Sequence, residues 1–240
     1  MENFKDLYTD KIGVLITNLG TPNAPTKKSL KTYLNQFLMD RRVVDINRAL
    51  WVPLLKLIIL NIRPKKSAKL YKKIWTKNGS PLMVYMKKIK TKIEKRFSHS
   101  DVDFHFNIAM RYGDPSFKEA LNDFKNKYIT KILILPLYPQ AGSPTTSSSL
   151  DEVFKELEMW PWVPHLRFTS GYHDNDKYIF SLSESIKKHF NENGIPEKLL
   201  FSFHGMPQRY LEEGDPYYCF CHKTARLVAE SLNLKKDDYD

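Results

Sequence analysis

What most constrains this chain is its rhythm, in which short apolar runs ending in turn residues alternate with longer stretches of helical spacing. Residues 12–19 (IGVLITNL) are apolar almost throughout and are closed by Gly20, Thr21 and Pro22, the pattern of a buried strand that stops in a turn. After Thr26, a residue suited to capping a helix, Leu30, Leu34, Phe37 and Leu38 recur at helical spacing and predict a helix to about Met39. Two or three more helices are expected across residues 46–97, broken at Pro53, Pro64 and the turn Asn78, Gly79, Ser80, Pro81. Val102, Phe104, Phe106, Ile108 and Met110 alternate as in a strand, and a helix starting at Asp114 and Pro115 should run to about Tyr128. Residues 132–137 (ILILPL) form a continuous apolar run, as expected of a parallel strand covered on both faces. A polar loop over 138–149 leads to a helix through Leu157. Residues 166–170, 174–190 and 199–203 then repeat strand, helix, strand, before a last helix near Tyr218.

This order predicts an α/β fold with parallel sheets in two units, residues 1–162 and 163–240. The second unit is offered two strands, too few for a free-standing sheet, and reads as incomplete.

Composition narrows the function classes. With 42% hydrophobic and 27% charged residues in 240, the chain is expected to fold rather than remain disordered. Cys219 and Cys221 cannot build a disulfide framework and suit a reducing compartment. The N-terminus lacks the basic-then-apolar order of a signal peptide, and no apolar run reaches the roughly 18 residues of a membrane span, so a cytoplasmic location is expected. The net charge of +11 is concentrated: residues 56–96 hold fourteen Lys or Arg and one acid, Glu94, so this segment alone carries +13. Such a segment suits an anionic partner, and it equally suits a solvated lysine face. Lysines outnumber arginines 29 to 9, which argues against nucleic acid, where bidentate arginine contacts prevail.

Ligands of open α/β sheets bind beyond the carboxyl ends of the strands. Those ends lead into Asn18 to Pro22, into Arg111, Tyr112 and Gly113, into Tyr138, Pro139 and Gln140, and into His204, Gly205, Met206 and Pro207. None is a dinucleotide fingerprint, a P-loop or a serine-hydrolase elbow. Of seven histidines, His204 stands out because it follows an apolar run and opens a sharp turn; an imidazole there can exchange a proton or bind a metal. Cys219, Cys221 and His222 lack zinc spacing and are expected on different sides of a helix. The AGSPTTSSSL loop could cradle an anion, although such clusters usually serve as turns and helix caps.

The stretches TNLGTPNAPT, QFLMDRRVVD, NGSPLMVY, LPLYPQ and FSFHGMPQRYLEEGDPY resemble ferrochelatases of the proteobacterial type, over about residues 11–233. The resemblance implies a chelatase-type pair of Rossmann-like domains with a porphyrin cleft between them. It also implies insertion of Fe²⁺ into protoporphyrin IX with release of two protons, the last step of heme biosynthesis. Protoporphyrin IX and ferrous iron would be the partners, iron being a substrate and no cofactor being permanently bound. By motif, His204 corresponds to the family's active-site histidine, proton acceptor, iron ligand or both. Arg63 and Tyr71 fall in the propionate-binding stretch, Ser80 is the serine of the following turn, Arg111 and Tyr112 match the [FM]-[RS]-Y motif, and Tyr138 matches the pocket tyrosine.

Two departures qualify the match. The family's further segment, with a P-G-F turn and a glutamate facing the histidine, is not within these residues, so poor chelation or none is expected of them alone. The loop after YPQ, often S-C-S-T-T, is here Gly142, Ser143, Pro144, Thr145, Thr146. A non-catalytic tetrapyrrole- or anion-binding protein is the alternative; cobalt or nickel insertion in another tetrapyrrole pathway fits FSFHGMPQRY less well. The basic segment, with Ile58, Ile59 and Leu60, could dock peripherally on the inner face of a membrane.

Overall fold

The computed structural model describes residues 10–240; the N-terminal stretch read above for a leader lies outside them. Strands β1 (Lys11–Gly20), β2 (Asp103–Tyr112), β3 (Lys131–Pro136) and β4 (His165–Phe168) form one all-parallel sheet in the order β2-β1-β3-β4. Neighbouring residues of a strand point to opposite faces, and the core divides accordingly. Leu15 and Ile134 pack with Phe117, Leu121 and Phe124 of α5 (Phe117–Asn126) and with Val153 and Leu157 of α6 (Ser148–Leu157). Val14 and Ile16 on the other face pack with Met86 of α4 (Pro81–Phe97) and Met110. A third cluster gathers α1 (Lys27–Met39), α2 (Arg48–Leu54) and α3 (Leu60–Ile74) around Tyr112, the last residue of β2.

The helix starts follow from local chemistry. Thr26 caps α1, its hydroxyl accepting from the Ser29 N–H at 3.3 Å. The helix expected from Asp114 begins at Phe117 instead, because Ser116 and Glu119 form a reciprocal capping box one turn in. Where β1 stops, Gly20 has φ +108°, and a Cβ there would lie 1.8 Å from the Tyr112 carbonyl oxygen. Gly20→Ala should therefore cost about 3 kcal/mol or more and lower the melting temperature by about 10 °C, as read by circular dichroism.

Helices α2 and α3 are joined by a π-helical turn, Leu55–Ile59, so that residues 48–74 run as one rod. Trp51, Leu55, Leu60, Pro64 and Ala68 face the core. Leu50, Leu54, Leu57, Ile58 and Ile62 face outward, Leu50 and Leu57 being over 70% exposed. This corrects one expectation: Leu60, grouped above with Ile58 and Ile59 as a residue that could enter a lipid surface, is buried at 4% exposure. The wider π turn changes which side chains share a face, and that shift is invisible in a strict 3.6-residue count.

The chain separates into two compact units, one comprising the described residues up to Leu137 with Ser147–Thr169, the other Tyr138–Thr146 with Ser170–Asp240. The division thus falls at residue 170 rather than at 163, because β4 pairs in parallel with β3 and belongs to the first sheet. In the second unit α7 (Asp176–Asn193) packs against α9 (Tyr217–Ser231), with the short α8 (Gln208–Glu212) before it. The strand expected over 199–203 forms only a parallel bridge, in which Leu199 pairs with Tyr239 and Phe201 N–H donates to Asp240. An extended apolar segment becomes a strand only where a partner edge runs beside it.

Candidate active site

The turn expected to carry chemistry is held by backbone and side-chain contacts within the second unit. His204 N–H donates to the Tyr217 hydroxyl at 3.2 Å. The His204 ring places Nδ1 2.8 Å from the Gly205 carbonyl oxygen. A carbonyl can only accept, so Nδ1 carries the hydrogen, and in the neutral tautomer the ring's lone pair is on Nε2. Asp215 fixes the next layer: its carboxylate accepts from Tyr217 N–H at 2.9 Å and from Ser143 N–H at 2.6 Å, which ties the loop after Tyr138 to the start of α9. A Cβ at Gly142 would meet that of Tyr217 at 3.1 Å, a tight contact that favours glycine there.

His204 borders an open cleft of about 1140 Å³ with Phe203, Met206, Tyr210, Tyr217 and Cys221. Burial, reinforced by the neighbouring Cys221, pushes the Tyr217 hydroxyl up to about 12, and burial also raises the Cys221 thiol. Both stay protonated at neutral pH. The two cysteines part as expected, Cys219 exposed and Cys221 buried. Among the described residues no three His, Cys, Asp or Glu side chains cluster to hold a metal ion.

Tyr138, the other predicted residue of this unit, is buried at the head of the loop that Asp215 secures. The remaining five lie in the first unit. Arg63 and Tyr71 sit on α3, eight residues apart, with Ser67 between them at spacings of four, which puts all three on one side of the helix. Arg63 is exposed, while Tyr71 is partly buried, and that burial raises its hydroxyl. Ser80 is buried as the N-cap of α4, its oxygen accepting from Met83 N–H at 3.3 Å; its own hydrogen remains available to donate.

Arg111 and Tyr112 come together around a residue that the sequence reading overlooked. The Asp40 carboxylate accepts from Arg111 Nη2 at 2.7 Å, from the Tyr112 hydroxyl at 2.8 Å, from the Ser148 hydroxyl at 2.5 Å and from the Arg42 N–H at 2.8 Å. Burial alone would raise this carboxyl; the donors and the Arg111 charge outweigh it and hold Asp40 below the usual carboxylate range. Tyr112 is pushed up, by burial first, and stays neutral. A sequence signal existed: Asp40 follows directly on the last residue of α1, inside QFLMDRR. Asp215 and Tyr217 likewise sit in the quoted EEGDPY stretch.

A family model described as Ferrochelatase matches residues 11–240. The chain is 48% identical to Ferrochelatase 2 of Shewanella oneidensis over 95% of its residues, covering 70% of that protein. It is 48% identical to a ferrochelatase of Idiomarina loihiensis over 98% of its residues and 49% identical to one of Azoarcus over 94%, covering 65% and 62% of those proteins. The chain therefore spans about two thirds of the length of these relatives. A family match from β1 to the last described residue, carried by relatives nearly half identical throughout, means that this chain belongs to the ferrochelatase family.

Proposed function

We propose that the chain takes part in inserting ferrous iron into protoporphyrin IX, giving protoheme and two protons, the closing step of heme biosynthesis. The observation that carries this reading is the His204 turn, where the Gly205 carbonyl engages Nδ1 and the exposed ring borders an open cleft. As iron enters, two pyrrole N–H bonds break and four nitrogen lone pairs turn to the metal, with no change of oxidation state. The departing protons need an acceptor, and an imidazole with Nδ1 engaged, as in His204, offers Nε2 for that task. The same nitrogen can hold the metal briefly before transfer. Iron is a substrate here, and the reaction so written needs no resident cofactor.

The propionates of the porphyrin need fixed donors, which Arg63, Tyr71 and Ser80 supply, while Arg111, backed by the buried Tyr112, shapes the first unit's wall for the ring. Bending a flat macrocycle toward the metallated geometry draws on that binding energy. Metallation is tested by mixing the protein with mesoporphyrin and Zn²⁺ and following the collapse of the free-base visible bands. Spectral evidence of binding without metallation would favour the non-catalytic tetrapyrrole-binding reading, and neither signal would reject both. Arg63→Ala should weaken mesoporphyrin binding about tenfold, the loss of one charge-assisted contact, and slow saturated turnover by less than about threefold.

Protoporphyrin dissolves in lipid, and the outward ridge of α2 and α3 favours docking at the inner membrane face. Leu50, Leu54, Leu57, Ile58 and Ile62 stand exposed beside Lys56, Lys65, Lys66 and Lys69, an apolar crest flanked by cations. No helix among the described residues is long and apolar enough to cross a membrane. A crest of this kind lies in the headgroup layer rather than across it.

A further inference from the structure

Arg111 is nearly consumed by protein partners. Besides Asp40 on Nη2, its Nε donates to Ser148 Oγ at 2.7 Å and its Nη1 lies 3.0 Å from Glu152. Its guanidinium also lies over the Tyr112 ring, 4.8 Å from the centroid. Three elements of the first unit meet in this knot: the end of α1 gives Asp40, the end of β2 gives Arg111 and Tyr112, and the start of α6 gives Ser148 and Glu152. At its centre Asp40 Oδ2 takes three side-chain donors at once, and the Asp40 side chain is 6% exposed. Glu152, at 22%, is the more open of the two acids.

We propose that Asp40 is a positioning residue for porphyrin binding, acting through Arg111 and Tyr112. This rests on the porphyrin reading above. The carboxylate fixes the guanidinium by one edge and the tyrosine by its hydroxyl, so neither side chain can swing when a porphyrin arrives. It also spares the ligand the entropy of ordering them. An uncharged isostere cannot do the same. In Asp40→Asn the amide keeps one oxygen, while Oδ2 and Oδ1 now serve the three side-chain donors and the Arg42 N–H respectively. Whichever way the amide turns, its NH₂ group faces a donor. Arg111 and Tyr112 then lose their common anchor.

The test is a spectrophotometric titration of mesoporphyrin into the full chain, wild type against Asp40→Asn, Arg111→Met and the double variant. Asp40→Asn should weaken binding about tenfold, and the double variant should bind no worse than the weaker single one, since both changes break one linkage. Ser148→Ala, which removes one donor from the same oxygen, serves if the asparagine variant does not fold, and should weaken binding about threefold. A loss of melting temperature with unchanged porphyrin affinity assigns Asp40 a purely structural role and overturns the inference. Strictly multiplicative effects in the double variant overturn it too, because Asp40 then does not act through Arg111. A wild type that binds no mesoporphyrin overturns the porphyrin reading and this inference with it, whereas a wild type that binds it alongside an unaffected Asp40→Asn overturns the inference alone.

Discussion

His204→Ala is expected to slow zinc insertion into mesoporphyrin at least about a hundredfold while leaving porphyrin affinity within about threefold, because a positioned base typically contributes 10²- to 10⁴-fold to rate. The ring is exposed and its one described contact, Nδ1 to the Gly205 carbonyl, is local, so little packing is lost with it. The turn itself is retained by the His204 backbone N–H and the Tyr217 hydroxyl, neither of which the substitution touches. Rate and binding should therefore separate, the mark of a group that acts on the reacting atoms. Retention of more than about a tenth of the wild-type rate, measured at saturating porphyrin, would leave the imidazole no part in proton removal.

The second large effect concerns the crest on α2 and α3. Vesicles rich in anionic phosphatidylglycerol should carry the protein upward in a low-salt flotation gradient, with each well-placed lysine contributing about 1 kcal/mol. Replacing Leu57 and Ile58 together by glutamate should lower the bound fraction at least about a hundredfold, since burying either side chain is worth about 1.5–3 kcal/mol and each new anion is repelled by the same surface. Both residues are more than half exposed, so the melting temperature should stay within about 2 °C of wild type. Equal flotation on neutral and anionic vesicles, or binding unaffected by the double substitution, would reduce the basic segment to a solvated face.

Much of this architecture was legible because its signals are local. The apolar runs at β1 and β3, the cap at Thr26 and the turn glycine at position 20 each act over a few residues, and each element lies within a few residues of its expected place. The His204 turn could be found by the same means, as a polar turn behind an extended apolar run. The segment before it shows the limit of such reasoning. Residues 199–203 have the composition of a strand, yet form only a bridge to 238–240, whereas the four residues of β4 pair with β3 and join the first sheet. Composition reports a tendency to be extended; pairing depends on which edge lies alongside.

The sequence by itself determined the alternation of strands and helices, the concentration of charge in residues 56–96, and, through its motifs, the ferrochelatase family. Only the tertiary structure decided which side chains of that charged segment look outward, because the π turn at Leu55–Ile59 rephases the rod and turns Leu60 inward while Leu57 and Ile58 remain outside. It alone decided that Asp40 gathers Arg111, Tyr112 and Ser148, residues 71, 72 and 108 positions away. A helix cap or a turn is chosen by neighbours in the chain, but a buried carboxylate is stable only where several distant donors converge on it, and convergence is a property of the fold.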